Sequence, residues 1–211
     1  MSLIDISVAL REGTPEWPGD TPFSCRWAWE IARGESVNVS VISGSPHVGT
    51  HADAPLHVEN GASGASELPL EAFVGTATVV DVTRGEGELG LGDLGLSSGT
   101  VDGGRLLLKT GQTIAGGQFP ERWPVLSAAC VDALLRGGLR LLGVDAPSVD
   151  PRESRGLPVH RALFSANACI LENLDLRDVV AGTYELLAAP IRIDGADAAP
   201  VRALLRPLVA P

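Results

Sequence analysis

The stretch Ser127-Ala-Ala-Cys-Val-Asp-Ala-Leu-Leu-Arg-Gly-Gly-Leu-Arg-Leu-Leu-Gly-Val144 carries the reading that decides the fold. Ser127 can accept a hydrogen bond from the first turn of a helix, Val131 and Leu134-Leu135 return on one helical face, and Gly137-Gly138 stop it. The pattern therefore predicts a helix over 127–135. A short apolar run follows at 139–144, and a similar run at 105–109 precedes the helix. Strand, helix and strand in that order predict a βαβ crossover and a partly parallel sheet. Further outward, 3–8 and 37–42 alternate apolar and polar residues, as half-buried strands do, and 23–31 is rich in aromatics. Short runs at 76–82, 168–171 and 184–191, bounded by Gly, Pro or Asp, complete the predicted strands. The tract 84–104 is rich in Gly, Ser and acids and predicts a surface excursion with little core. No repeat or linker divides the chain, so residues 1–211 are expected to form a single α/β domain.

With 16 Lys+Arg against 26 Asp+Glu, the net charge is -10 and no local basic stripe offsets it, which excludes a polyanion such as nucleic acid as partner. No stretch approaches the roughly 18 apolar residues that span a bilayer, and the first residues lack a basic region leading into an apolar one. These features predict a soluble, unexported, cytoplasmic protein without a membrane partner. Cys25, Cys130 and Cys169 are odd in number, far apart and set among apolar neighbours, which predicts buried free thiols without a chemical role.

Three of the four histidines fall within His47-Val-Gly-Thr-His51-Ala-Asp53-Ala-Pro-Leu-His57, where random scatter would place about 0.2. Imidazole nitrogens and carboxylate oxygens suit divalent zinc or manganese, and His51 and Asp53, two apart on extended backbone, point the same way. Gly49 and Pro55 argue against a continuous helix here, and Gly49 permits a bend that brings His47 beside His51. Outside this cluster, His160 alone reads as an ordinary satisfied residue. Glu172 ends the run Ala-Cys-Ile-Leu, where a strand leaves the sheet, and alone could be a paired structural acid.

The segment Ser45-Pro-His-Val-Gly-Thr-His-Ala-Asp-Ala-Pro-Leu-His57 resembles the signature of the metal-dependent cyclase and amidohydrolase family, and in particular its formamidase branch. Trp17-Pro-Gly-Asp20, Asp145-Ala-Pro-Ser-Val-Asp150, His160, Ile170-Leu-Glu172, 182–190 and 199–202 are similar to the family in type and order, so the resemblance covers nearly the whole chain. It implies a swivelling β/β/α domain with a mixed, barrel-like sheet and outer helices, assembled as a homodimer. It also implies two divalent cations per subunit, zinc or manganese, one held by His47, His51 and Asp53 and the other by Asp53, His160 and Glu172. His57 then matches the family's acid/base residue, and Trp17 its substrate-contacting aromatic. The implied reaction is hydrolysis of a small aromatic formamide, N-formyl-L-kynurenine, to L-kynurenine and formate in tryptophan degradation. Other family members open lactam-like rings or cleave different acyl groups, and the tracts 84–104 and 155–158 depart from the pattern. A pocket wall formed by either would bear on which of these substrates fits.

Two motifs match without chemistry. Gly95-Leu-Ser97-Ser-Gly99 fits the nucleophile pattern of serine hydrolases but lacks the buried strand that must precede the serine. Gly85-Glu-Gly87-Glu-Leu-Gly90 fits a dinucleotide fingerprint but would set glutamates beside a pyrophosphate. A non-catalytic metal-binding protein would leave His57 surplus to coordination.

Overall fold

The computed structural model describes residues 2–208; residue 1 and residues 209–211, which the single-domain reading includes, lie outside the described residues. In chain order the elements are β1 (Ile4–Asp5), β2 (Ser24–Trp29), β3 (Val39–Ser43), β4 (His51–Asp53), β5 (Val74–Asp81), β6 (Gly87–Leu89), β7 (Arg105–Lys109) and β8 (Pro124–Leu126). Then follow α1 (Ala128–Arg136), β9 (Leu141–Val144), α2 (Pro158–Ser165), β10 (Cys169–Glu172), β11 (Gly182–Leu187), β12 (Ala198–Pro200) and β13 (Leu204–Pro207). Short 3-10 turns fill several of the connections.

Ser127 caps α1 as its position predicts: its Oγ accepts the backbone N–H of Cys130 at 3.3 Å. The helix joins β7 to β9, which pair in parallel with Leu106 opposite Leu142, so the predicted crossover is present. A second crossover through α2 sets β10 parallel to β9, with Cys169 opposite Leu141. Nine strands form one curled mixed sheet in the order β1-β13-β11-β5-β7-β9-β10-β4-β12, parallel from β5 to β10 and antiparallel on both flanks. This is the α/β architecture, a barrel-like sheet with outer helices, that the resemblance implied.

The two middle strands carry unbroken apolar runs, 106–108 in β7 and 141–144 in β9, because both faces are covered. In β7, Leu106 and Leu108 pack with α1 and α2 residues such as Val131, Leu134 and Leu163, whereas Leu107 packs on the opposite face with Phe73, Leu171 and Leu186. Burying a side chain of this size stabilises the fold by about 1.5–3 kcal/mol, so this three-residue run anchors both layers.

The structure departs from the sequence reading in three places. The tract 84–104 has real core: Leu89, Leu94 and Val101 are buried beneath the helical layer, and β6 pairs in parallel with β8. Its apolar residues are too widely spaced among Gly and Ser to show a period, so only packing reveals them. Cys130 and Cys169 are buried, and burial pushes the Cys169 thiol up to about 12, but Cys25 is exposed. It sits in an antiparallel ribbon of β2 and β3 that stands off the main sheet. Trp27, Trp29 and Ile42 of that ribbon are 55%, 55% and 68% exposed, so the predicted strands exist without the half-burial that their pattern suggested.

Candidate metal centre

Strand β4 delivers two of the predicted ligands. His51 and Asp53 flank Ala52, which enters the core, so both polar side chains leave the other face of the strand. The antiparallel register with β10 sets Glu172 directly opposite His51, which brings the carboxylate to that face. His47 reaches in from the preceding turn. The bend expected at Gly49 is present with φ +74°, and a Cβ there would lie 2.6 Å from Leu10 Cδ2. Glycine takes this φ without strain, and a larger residue would also have to displace the Leu10 side chain. His160 comes from the first turn of α2. Asp150 fixes it by accepting the N–H groups of Val159 and His160, each at 3.0 Å, and by pairing with its Nδ1 at 2.7 Å.

The partners of the outer ring nitrogens assign the tautomers. His51 Nδ1 lies 2.9 Å from the Gly49 carbonyl, His160 Nδ1 lies on Asp150, and His47 Nε2 lies 3.0 Å from Asp197 Oδ2. Each of these acceptors needs a proton from the ring, so in the neutral rings His47 Nδ1, His51 Nε2 and His160 Nε2 carry lone pairs. Those lone pairs converge on Asp53. Its Oδ1 is 3.0 Å from His47 Nδ1 and 3.2 Å from His51 Nε2, and its Oδ2 is 3.2 Å from His160 Nε2. Glu172 closes the ring, Oε1 at 3.4 Å from His160 Nε2 and Oε2 at 3.6 Å from His51 Nε2.

Asp53 is fully buried, yet its Oδ1 has no aligned hydrogen-bond donor. A buried carboxylate oxygen facing imidazole lone pairs costs several kcal/mol unless positive charge sits among them. The titration behaviour reports the same demand. Burial would lower the His47 pKa, but the neighbouring Asp197 and Asp53 carboxylates raise it to about 10. Burial likewise opposes, and Asp150, Asp53 and Glu172 outweigh it, in raising His160 well above its ordinary value. Burial would raise Asp53, but the charge of His51 and contacts with the other imidazoles hold it well below the usual carboxylate range. Protons can supply that charge, and so can divalent cations; borderline nitrogen and hard oxygen donors in this mixture suit zinc or manganese. The residues present therefore fit a metal.

His57, at the end of the short turn Pro55–His57, is half-buried with its ring 4.4 Å from that of His47. Its Nδ1 is 3.3 Å from Asp197 Oδ2, the same oxygen that holds His47. These two contacts hold the Asp197 carboxyl below its ordinary value, the His47 hydrogen bond acting most strongly. Above the cluster a cavity of about 280 Å³ opens between Trp17, Phe119 and Leu157, with His47, His51, His57, His160 and Glu172 on its floor. Trp17 is 37% exposed and meets Phe119 edge to face at 5.6 Å. All seven predicted site residues thus come together in one place.

Two further residues escaped the sequence reading. Asp150 lay within a family-like segment but carried no signal of its contact with His160. Asp197 is 150 and 140 residues from His47 and His57, so no spacing could join them. Of the two divergent tracts, 84–104 does not line the cavity, whereas Leu157 does, held at φ +46° just before α2.

Imidazole lone pairs and carboxylates converging on the strand ends of a curled mixed sheet, beneath an aromatic cavity, define a metal-dependent α/β protein. The Cyclase family model matches residues 4–151, well over half of the chain. The chain is 42% identical over 206 residues to the kynurenine formamidase of Bacillus cereus, covering 97% of each protein. It is 41% identical over 210 residues to that of Salinibacter ruber, covering 98% of each. A solved structure described as a potential metal-dependent hydrolase with cyclase activity superposes with a TM-score of 0.81 at 30% identity, covering 97% of this chain and 96% of that one. Isatin hydrolase A of Labrenzia aggregata shares the fold, with a TM-score of 0.78 at 23% identity over 97% of this chain and 93% of that one. This chain belongs to the cyclase family of metal-dependent hydrolases, as the segment 45–57 implied.

Proposed function

We propose that this protein hydrolyses N-formyl-L-kynurenine to L-kynurenine and formate in the cytoplasm, as one domain over residues 1–211. The observation that carries the reading is the convergence of His47, His51, Asp53, His160 and Glu172 on the floor of a cavity walled by Trp17 and Phe119, with His57 beside them. The kynurenine formamidases similar to this chain over nearly its whole length support the choice of substrate. His47, His51 and Asp53 would hold one cation and Asp53, His160 and Glu172 a second, and Glu172, whose Oε2 lies 3.6 Å from His51 Nε2, would also serve the first; zinc suits the donors, and manganese would also serve. Bound cations of this kind lower the pKa of water and polarise a carbonyl oxygen.

The chain's own residues perform the rest. Trp17 stacks on the aryl ring and, with Phe119, screens the formyl group from bulk water. His57 donates Nδ1–H to Asp197, which leaves Nε2 free to take a proton and return it. As the formyl carbon–nitrogen bond breaks, the aryl amine nitrogen must gain a proton, and His57 Nε2 delivers it. Asp150, Asp197 and the Gly49 carbonyl hold the rings in the tautomers that this arrangement needs.

The direct test is hydrolysis of N-formyl-L-kynurenine by purified protein, followed by absorbance before and after chelation. Turnover that chelation abolishes and zinc or manganese restores is the expected result. Binding of two metal equivalents without turnover would keep the centre and reject the substrate.

The exposed ribbon supports a homodimer. A two-stranded ribbon is marginally stable alone, and one displaying Trp27, Trp29 and Ile42 to solvent gains most when a second copy covers it. Trp27→Asp combined with Ile42→Asp should shift the protein from dimer to monomer in light scattering. An unchanged dimer would place the interface elsewhere.

A further inference from the structure

The cavity wall holds one charge that the metal centre does not use. Outside the cluster on the floor, its residues are apolar or neutral except for Asp20, and no lysine or arginine lines it. Asp20 is half-buried. Its Oδ1 accepts the N–H of Thr21 at 2.6 Å, which fixes the carboxylate, and the side chain enters no ion pair among the described residues.

A rigid turn ties this carboxylate to the aromatic wall. The Asp20 N–H donates to the Trp17 carbonyl at 2.9 Å, and Gly19 has φ +92°. With Pro18 and Gly19 as its central residues, Trp17-Pro-Gly-Asp20 is a type II turn, in which proline presets the first angle and glycine alone takes the second without strain. The indole ring and the carboxylate are therefore presented as a unit. An aryl ring stacked on Trp17 brings a short side arm within reach of Asp20. A cation on that arm gains a charge-assisted hydrogen bond in a partly desolvated cavity, whereas an anion there meets repulsion with no compensating base.

We propose that Asp20 selects aryl formamides whose ring carries a short arm ending in an ammonium group, and that a carboxylate on that arm contributes nothing to recognition. The proposal rests on the formamide reading of the site and extends it: the decarboxylated amine corresponding to N-formyl-L-kynurenine is a further substrate.

The test compares four aryl formamides on the metal-loaded protein, identical except that the arm is zwitterionic, ammonium only, carboxylate only or uncharged. The ammonium-only compound should have a KM equal to or below that of the zwitterion, and about tenfold below that of the uncharged compound, the effect of one charge-assisted hydrogen bond. The carboxylate-only compound should have the highest KM. Asp20→Asn should raise KM for both ammonium-bearing compounds by about tenfold with a much smaller change in kcat, and the preference for ammonium over uncharged should shrink to within about twofold. An equal rise for all four compounds would reduce Asp20 to a structural part of the turn and overturn the proposal. So would a preference for the carboxylate, which would point to a guanidinium such as Arg152, stacked 5.6 Å over Phe119. Cleavage with no charge preference rejects Asp20 and keeps the formamidase; failure to cleave any of the four rejects both.

Discussion

Asp53→Asn is expected to lower kcat/KM by at least about a thousandfold, roughly 4 kcal/mol of lost transition-state stabilisation, and to remove bound metal. Of the carboxylates that reach both groups of imidazoles, Asp53 makes the closest approach, Oδ1 toward His47 and His51 and Oδ2 toward His160, all within 3.2 Å. The substitution keeps the volume at a site with no solvent exposure but removes the charge that both cations would share. The fold should survive, since Ala52 and the β4 pairings with β10 and β12 are untouched. Three measurements check this: metal content by elemental analysis, kcat/KM, and the melting temperature with and without chelator. Chelation should lower the melting temperature of the wild type, because a ligand bound only by the folded state stabilises it, and should leave that of the variant unchanged. A variant that keeps two metals and near-normal turnover would show that Asp53 does not organise the centre.

His57→Ala should lower kcat by about 10²–10⁴-fold, the usual contribution of a positioned acid/base, while metal content stays the same. His57 hangs from Asp197 rather than pointing its Nδ1 at Asp53, and it is half-buried, so its removal leaves the convergence of His47, His51, His160 and the carboxylates intact. Free imidazole should restore part of the lost rate by occupying the vacated space. The same geometry states the alternative sharply: His47, Asp53 and His57 offer ligand atoms within 4.8 Å of one another. Loss of one metal equivalent in the alanine variant would make His57 a ligand and move the proton-transfer role to another group.

Local chemistry explains what was legible in the sequence. The βαβ unit around 105–144 was readable because Ser127, the Val131 and Leu134 face and the closing glycines all act within a few residues of one another, as capping and helical periodicity do. Helix α2 was missed because it is only eight residues long and its start is fixed by Asp150, eight residues before Pro158 in the chain, rather than by an adjacent cap. Strands β12 and β13 were hidden in 198–207, where alanines and prolines give little alternation; they form because β4, β11 and β1 offer free edges.

The sequence by itself determined the metal-binding character of 47–57, because one residue between His51 and Asp53 on a strand and one glycine before them suffice to aim ligands together. It also determined the family, through the resemblance that runs from Trp17 to Arg202. Tertiary structure decided the rest of the site. Glu172 becomes a neighbour of His51 only through the antiparallel register of β10 with β4, and Asp197 reaches His47 and His57 from 150 and 140 residues away. Such contacts have no fixed spacing along the chain, since they depend on which strands pair and in what register, and that is settled by burial of the two sheet faces as a whole.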